Sequence, residues 1–170
     1  VFPTLLPQIA KSVKKKNPLV VSMAAGLTTD SIKEMLGYDA KIIRIMPNVN
    51  AAIAMSTTAV CKNEFASDED LATIKNLFSS IGLTTEVPEN QFAIFTAIAG
   101  CSPAYVYMFI DGLARGAQKM GMNKQKALEI AASAVIGSAS MYAQSNEHPQ
   151  ELVDKVCSPC LLYTSDAADD

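Results

Sequence analysis

The sequence lacks features on which several large classes of protein depend. It contains no G-x-G-x-x-G fingerprint and no P-loop glycine pattern. His148 is its only histidine, so no second histidine is available for a metal site, and no Cys or Ser partners it in the manner of a catalytic triad. No uninterrupted apolar run approaches the roughly 20 residues that cross a bilayer. We therefore expect no metal centre and no membrane span.

Charge and cysteine are also scarce. Only 18% of the residues are charged and the net charge is -3, which gives no reason to expect nucleic-acid binding. The four cysteines are too few and too scattered for a disulfide scaffold, so we expect a reducing cytoplasm. The start at Val1 shows neither a signal peptide nor an initiator Met, and we expect it to lie within a longer gene.

The first half of the chain alternates short apolar runs with helical patterns. Strands are predicted at 19–23, 41–46, 57–62 and 84–87. One helix should follow the N-cap candidates Thr28, Thr29 and Asp30 and end at Gly37, and another should open with the capping box of Ser67 and end at Gly82. Strands that alternate with helices predict a mainly parallel α/β layer.

The composition changes after Glu89, which we take as a domain boundary. From Gln91 onward Ala, Gly, Ser and Met are abundant and no strand pattern occurs. Helices are predicted at about 91–99, 103–120, 124–144 and 149–156, with Pro103 and Pro149 in first turns. His148, directly before Pro149, is predicted to cap its helix. The small residues in these helices allow close packing on one another or on a partner subunit.

The last eleven residues, 160–170, do not continue the pattern before them. The string CLLYTSDAADD resembles the translation of a sequencing-library adapter, so we expect it to be a non-native tail that takes no part in the fold. Cys157 and Cys160 have the spacing of a C-x-x-C motif. However, they lack the thioredoxin-like strand and the further ligands that redox or zinc sites require. We therefore predict no C-x-x-C site.

Three groups of residues carry a family resemblance. They are VSMAAG at 21–26 with RIMPN at 44–48; AGCSPAYVY at 99–107; and EHP at 147–149 with Leu152, Asp154 and VCSP at 156–159. In this order and at these separations they resemble pyrroline-5-carboxylate reductase across residues 1–159. Each group alone is a weak signal, but the combination is specific.

The resemblance implies an α/β fold made of a partial Rossmann-type sheet followed by an all-helical dimerisation domain. Residues 1–89 would be the C-terminal part of the dinucleotide-binding domain, whose strand, glycine turn and helix would precede Val1. Residues 90–159 would form the helical domain, through which the chain assembles as a homodimer or higher homo-oligomer. The implied reaction is reduction of 1-pyrroline-5-carboxylate to L-proline by NADPH or NADH, with this chain by itself inactive.

The resemblance also implies site residues. The expected cofactor contacts are Pro3, Met23, Ala24, Ala25, Gly26 and Asn48. The expected substrate contacts are Asn146, Ser102 and Ser158, and the expected catalytic residues are Ser158 and Glu147. Two departures weaken individual assignments: Phe2 stands where a Lys is common, and Cys160 stands where the family has Gly. Asn48 and Ser158 could instead be turn residues.

Two alternatives remain open at this point. The chain could come from a related imine or β-hydroxyacid-type reductase that also joins a Rossmann-type domain to helices. It could also be a dimerising helical module with no catalysis of its own. The CSPAY element at 101–105 and the HP…SP element of residues 148–149 and 158–159 favour the pyrroline-5-carboxylate reductase interpretation over the first alternative.

Overall fold

The computed structural model describes residues 2–157. These residues divide between Tyr105 and Val106 into two compact units. The division lies beyond the predicted boundary at Glu89, because the first part of the helical segment packs on the sheet: the ring of Phe92 is buried against Ala59 and Cys61. Ser158, Pro159 and the predicted tail 160–170 lie outside the described residues.

The first unit is built on a four-stranded sheet. Its strands, in spatial as well as chain order, are β1 (Val20–Ser22), β2 (Ile42–Met46), β3 (Ser56–Lys62) and β4 (Gly82–Glu86). β1 pairs parallel with β2 and β3 pairs parallel with β4, whereas β2 and β3 are antiparallel. The predicted mainly parallel layer is confirmed, since two of the three strand pairs are parallel, and the central pair is the antiparallel exception. The link between β2 and β3 contains only the 3-10 turn Val49–Ile53, and a parallel crossover needs about a dozen residues or more.

Helices cover both faces of this sheet. They are α1 (Phe2–Lys16), α2 (Thr29–Leu36) and α3 (Asp68–Ser79). Alternate residues of a strand point to opposite faces, and the core divides accordingly. Ile42 packs with Ile32 and Leu36 of α2, while Ile43 and Ile45 pack with the α3 residues of a second cluster, Leu71 and Ile74.

The N-caps predicted for α2 and α3 are present, but one of the two predicted C-caps is not. Thr28 caps α2 and Gly37 ends it at a φ of 68°, as predicted. The Ser67 capping box of α3 is also confirmed. The prediction for Gly82 is wrong: α3 ends before it, and Gly82 begins β4 at a φ of 141°. A side chain there would place its Cβ 2.1 Å from the Ser56 carbonyl oxygen, so the strand pairing itself requires glycine.

The helical segment begins with a 3-10 turn at Glu89–Gln91 and α4 (Phe92–Phe95), followed by a π turn at Thr96–Gly100. Then come α5 (Ser102–Lys119), α6 (Lys124–Gln144) and α7 (Pro149–Val156). Within the described residues no strand follows β4, as the composition predicted. The predicted helix 91–99 is not one regular helix but three short pieces of different pitch.

The helical run Glu89–Lys119 is long and apolar enough, by length and composition, to cross a membrane. Its most apolar window has a mean hydropathy of 1.6, and 11% of that window is buried. A single helix of this kind is weak evidence for a membrane, because apolar helices of soluble proteins satisfy the same criteria. The absence of a membrane span therefore stays a prediction.

Candidate functional site

Five of the six predicted cofactor residues follow the carboxyl ends of two neighbouring strands, and the sixth, Pro3, lies in α1. The turn Met23–Gly26 follows β1 directly, and Asn48 follows β2. Because β1 and β2 run parallel, their carboxyl ends emerge at the same edge. In open α/β sheets this edge is where ligands bind.

Three of the four residues in the turn after β1, Ala24, Ala25 and Gly26, have side chains no larger than a methyl group, whereas the Met23 side chain is 63% exposed. Ala24 is buried and its N–H donates to the Ser22 hydroxyl at 3.2 Å, while Gly26 adopts a φ of 77° that favours glycine. A groove of about 320 Å³ runs beside the turn. It is lined by Phe2, Leu6, Val20, Val21, Ser22, Met23, Ala24 and Ile32. Pro3, in the first turn of α1, directly follows the Phe2 that lines this groove.

Asn48 uses its side chain inside the protein. Its Oδ1 accepts from the N–H groups of Asn50 and Thr57, each at 3.2 Å. Its Nδ2 donates to the Ala99 carbonyl at 3.0 Å. These bonds support the interpretation of Asn48 as a turn residue, and its contact with a cofactor stays a prediction.

A partly buried ion pair joins β2 to the start of the helical segment, and the sequence analysis did not single it out. The guanidinium Nη1 of Arg44 lies 3.1 Å from Oε1 of Glu89 and its guanidinium carbon lies 4.5 Å from the centroid of the Phe92 ring. The Glu89 carboxylate also accepts from the N–H and the hydroxyl of Thr29, both at 2.8 Å. The sequence did contain a signal for this pair, because Arg44 is the one charged residue in the otherwise apolar run IIRIM. A charge in a buried strand needs a partner of opposite charge.

The residues predicted to contact the substrate are divided between the two units. Ser102, half-buried at the start of α5, belongs to the first unit. Asn146 and Glu147 belong to the second, where they line a groove of about 920 Å³. Its other lining residues are Gly137, Ser138, Met141, Gln144, Ser145, Leu152, Lys155 and Val156. Ser158, predicted as both catalytic and substrate-binding, lies outside the described residues.

Within the second groove Glu147 is held by two neighbours. Its carboxylate forms an ion pair with Lys155, and its N–H donates to the Ser145 hydroxyl at 2.9 Å. His148, next in sequence, caps α7: its Nδ1 accepts from the Gln150 N–H at 3.2 Å. The capping role predicted for His148 is confirmed. The sequence analysis missed Lys155, which sits eight residues along the chain from Glu147 and is brought back to it by the turn before α7.

Comparison with known proteins gives one consistent result. The family model for pyrroline-5-carboxylate reductase dimerisation matches residues 89–160. The pyrroline-5-carboxylate reductase of Escherichia coli (strain K12) is 42% identical over 155 residues, which is 91% of this chain and 57% of that protein. Among the curated relatives in mammals, human pyrroline-5-carboxylate reductase 2 is 36% identical over 162 residues, 94% of this chain and 50% of its own length.

Solved structures agree with these sequence matches. The Plasmodium falciparum pyrroline carboxylate reductase, crystallised with NADP bound, has a TM-score of 0.85 and 30% identity, and the match covers 92% of this chain and 62% of that one. The Streptococcus pyogenes enzyme has a TM-score of 0.80 and 41% identity, covering 90% and 60%. The chain thus spans between 50% and 57% of the length of these two curated relatives.

Proposed function

From the premise that this chain belongs to the pyrroline-5-carboxylate reductase family, we propose that it forms part of an enzyme that reduces 1-pyrroline-5-carboxylate to L-proline. The hydride comes from NADPH or NADH. The observation that carries the proposal is the small-residue turn Met23–Gly26 at the carboxyl edge of a sheet, in a chain whose helical part matches the family's dimerisation model.

The residues at the sheet edge fit one part of a nicotinamide cofactor. A flat ring needs a surface without bulky side chains, and the exposed Ala25 and Gly26 would provide one, with the exposed Met23 side chain at its border. Pro3 would border the same groove, and Asn48 belongs to the same edge. The sequence contains no G-x-G-x-x-G turn to hold a pyrophosphate. We therefore propose that the 170-residue chain alone binds the cofactor weakly and turns over no substrate.

The roles of the substrate residues follow from the chemistry of a cyclic imine. The bound cofactor supplies a hydride, and the C=N carbon accepts it more readily when the imine nitrogen is protonated. Glu147 would hold a proton or positive charge at that nitrogen, with Lys155 orienting its carboxylate. Asn146 and Ser102 would orient the substrate through hydrogen bonds. Ser158 keeps its proposed part in carboxylate binding and catalysis.

The proposed partner is a second copy of the chain. α5 carries a set of exposed apolar side chains: Tyr105, Tyr107, Met108, Phe109 and Leu113. A contiguous apolar patch on a protein surface marks an interaction site, and a subunit interface would cover it. This also accounts for the apolar composition of Glu89–Lys119 without a membrane.

The proposed compartment is the cytoplasm. Cys61, Cys101 and Cys157, the cysteines among residues 2–157, are all free thiols. Free cysteines are typical of reducing compartments.

A chimera tests the proposed function. The 155 residues of the Escherichia coli enzyme that align with this chain would be replaced by the matching residues of this chain. The purified chimera should oxidise NADPH only when pyrroline-5-carboxylate is added. A chimera that folds and binds NADPH but reduces another imine or a β-ketoacid in preference would overturn the substrate assignment.

Two controls accompany the chimera. The 170-residue chain alone should show no substrate-dependent NADPH oxidation but should sediment as a dimer. In the chimera, Glu147→Gln should lower kcat by about a hundredfold to ten-thousandfold, as expected for a group that assists proton transfer. Glu129→Gln removes a carboxylate from an exposed pair with Lys126 and should leave kcat unchanged.

A further inference from the structure

Pro103 creates a need for a hydrogen-bond donor. In a regular helix the N–H of residue 103 would donate to the carbonyl of Ala99, but proline has no N–H. Pro103 and Ala99 are both buried, so water cannot readily replace the missing donor. The Ala99 carbonyl instead accepts from Asn48 Nδ2, a side chain that comes from the end of β2.

The backbone around Ala99 departs from a regular α-helix. The N–H of Cys101 donates to the Thr96 carbonyl at 2.9 Å, the spacing of a π turn, and the N–H of Ala104 donates to the Cys101 carbonyl at 3.1 Å. The N–H of Ala104, which could reach the Ala99 carbonyl in a π-type bond, is therefore already used. Gly100 allows the tight turn, because a Cβ there would lie 3.1 Å from Thr96 Cγ2. π turns of this kind often occur at functional sites.

The Asn48 amide is fixed in one orientation. Its Oδ1 is anchored by the N–H groups of Asn50 and Thr57, so Nδ2 must face Ala99. Aspartate would keep both of those acceptor bonds but would turn an oxygen toward the Ala99 carbonyl. The amide is therefore required at this position because it offers an acceptor on one side and a donor on the other.

We propose that Asn48 is a positioning residue that supplies the donor missing from Pro103 and thereby sets the place of Ser102. The link to catalysis rests on the proposed function, in which Ser102 contacts the substrate. Asn48 follows β2, whose carboxyl end lies beside that of β1 and its cofactor turn, and it bonds Ala99 in the π turn just before α5. The bond thus couples the cofactor side of the site to the substrate side within the first unit.

The first test uses the 170-residue chain and needs no ligand. Asn48→Asp should speed hydrogen exchange at the amides of Gly100, Cys101 and Ser102 by about tenfold, the effect of losing one buried hydrogen bond. Adding Pro103→Ala restores an N–H that can reach Ala99, so the double variant should return exchange toward the wild-type rate. Such rescue would not follow from a general loss of stability.

Asn63→Asp is a matched control. Asn63 makes the same three-bond pattern elsewhere: its Oδ1 accepts from Ile42 and Ala66, and its Nδ2 donates to the Ala40 carbonyl at 2.8 Å. Asn63→Asp should lower the overall stability without selectively speeding hydrogen exchange at amides 100–102. Adding Pro103→Ala to it should not restore the lost stability. If Asn48→Asp fails to fold, recovery of folding in the double variant supports the proposal, and failure of both variants overturns it.

The second test uses the chimera and separates this proposal from the proposed function. Asn48→Asp should raise KM for pyrroline-5-carboxylate by about tenfold and leave KM for NADPH nearly unchanged. Pro103→Ala should again reverse the change. A rise in KM for NADPH alone would assign Asn48 to the cofactor and overturn the positioning role. The chimera could be inactive while Pro103→Ala still restores slow hydrogen exchange in the Asn48→Asp chain. That outcome would refute the proposed function and the link to catalysis, but not the coupling of Asn48 to Pro103.

Discussion

The guanidinium of Arg44 and the carboxylate of Glu89 meet at 3.1 Å and join the middle of β2 to the first residue of the helical segment. Their side chains are 11% and 27% exposed, so the pair is largely withdrawn from water. Glu89 also accepts two hydrogen bonds from Thr29 at the start of α2. One carboxylate therefore holds a strand, a helix start and the helical segment together, and a carboxylate is favoured at a helix N-terminus.

Glu89→Gln should destabilise the chain by about 2 kcal/mol, because it leaves the buried Arg44 without a charged partner. The free energy of unfolding from urea denaturation measures this directly. This expected loss of stability is smaller than that for a fully buried ion pair because the Glu89 side chain is 27% exposed.

Glu129→Gln is the control for that measurement. It makes the same chemical change in an exposed pair with Lys126, where the expected loss is below about 0.5 kcal/mol. Equal losses in the two variants would contradict the structural role given to Glu89.

Much of the first unit could be predicted because its signals are local. Thr28, Ser67 and Gly37 sit at positions where cap chemistry depends on neighbours within a few residues. Apolar runs marked the four strands within two residues of their observed starts. The antiparallel pairing of β2 with β3 was missed, although the short link after Asn48 was already visible in the sequence.

The contacts of the candidate site were harder to predict because they join residues that are distant in sequence. The Arg44 and Glu89 pair, and the bond from Asn48 to Ala99, each join residues more than forty positions apart. Composition does not specify which buried donor meets which acceptor. Pro103 did predict a helix start, but the π turn before it accepts a hydrogen bond from Asn48, a residue more than forty positions earlier in the chain.

Cys61 should be far less reactive than the other described cysteines. Burial raises the pKa of its thiol to about 11, and the nearby Glu89 carboxylate adds to the shift. At pH 8 about one thiol in a thousand would then be thiolate, the nucleophilic form. Iodoacetamide followed by peptide mass spectrometry should label the exposed Cys101 and Cys157 well before Cys61. Labelling in urea should remove the difference, and equal rates in the native chain would show that Cys61 is not buried.

His148→Ala should loosen the start of α7. It removes the Nδ1 acceptor of the Gln150 N–H, a change that typically costs about 1 kcal/mol at a helix N-cap. His148→Asn supplies another acceptor and should retain most of the stability. Hydrogen exchange at the amides of Leu152 and Val153 would report the difference. If both variants exchange alike, the cap does not depend on the His148 side chain.

Asp70 should make α3 sensitive to acid. The Ser67 backbone N–H at 2.9 Å is the main cause that lowers the pKa of this carboxyl, and the Ser67 hydroxyl and Lys41 lower it further. A pKa that is lower in the folded chain than in the unfolded chain adds stability above the unfolded value of about 4, and this stability is lost as the pH falls through the folded value.

Asp70→Asn should therefore be less stable than the wild type at pH 7, and the two urea midpoints should converge as the pH is lowered below about 4. Asp68→Asn removes a charge from the same turn without breaking a bond to Ser67, so it controls for the interaction of charge with the helix dipole. The urea midpoint of Asp70→Asn should approach that of the wild type more closely than the midpoint of Asp68→Asn does. The reason is that only the Asp70 carboxylate of the wild type loses specific hydrogen bonds on protonation. A constant gap between wild type and Asp70→Asn across this pH range would mean that the bonds to Ser67 stabilise both protonation states equally.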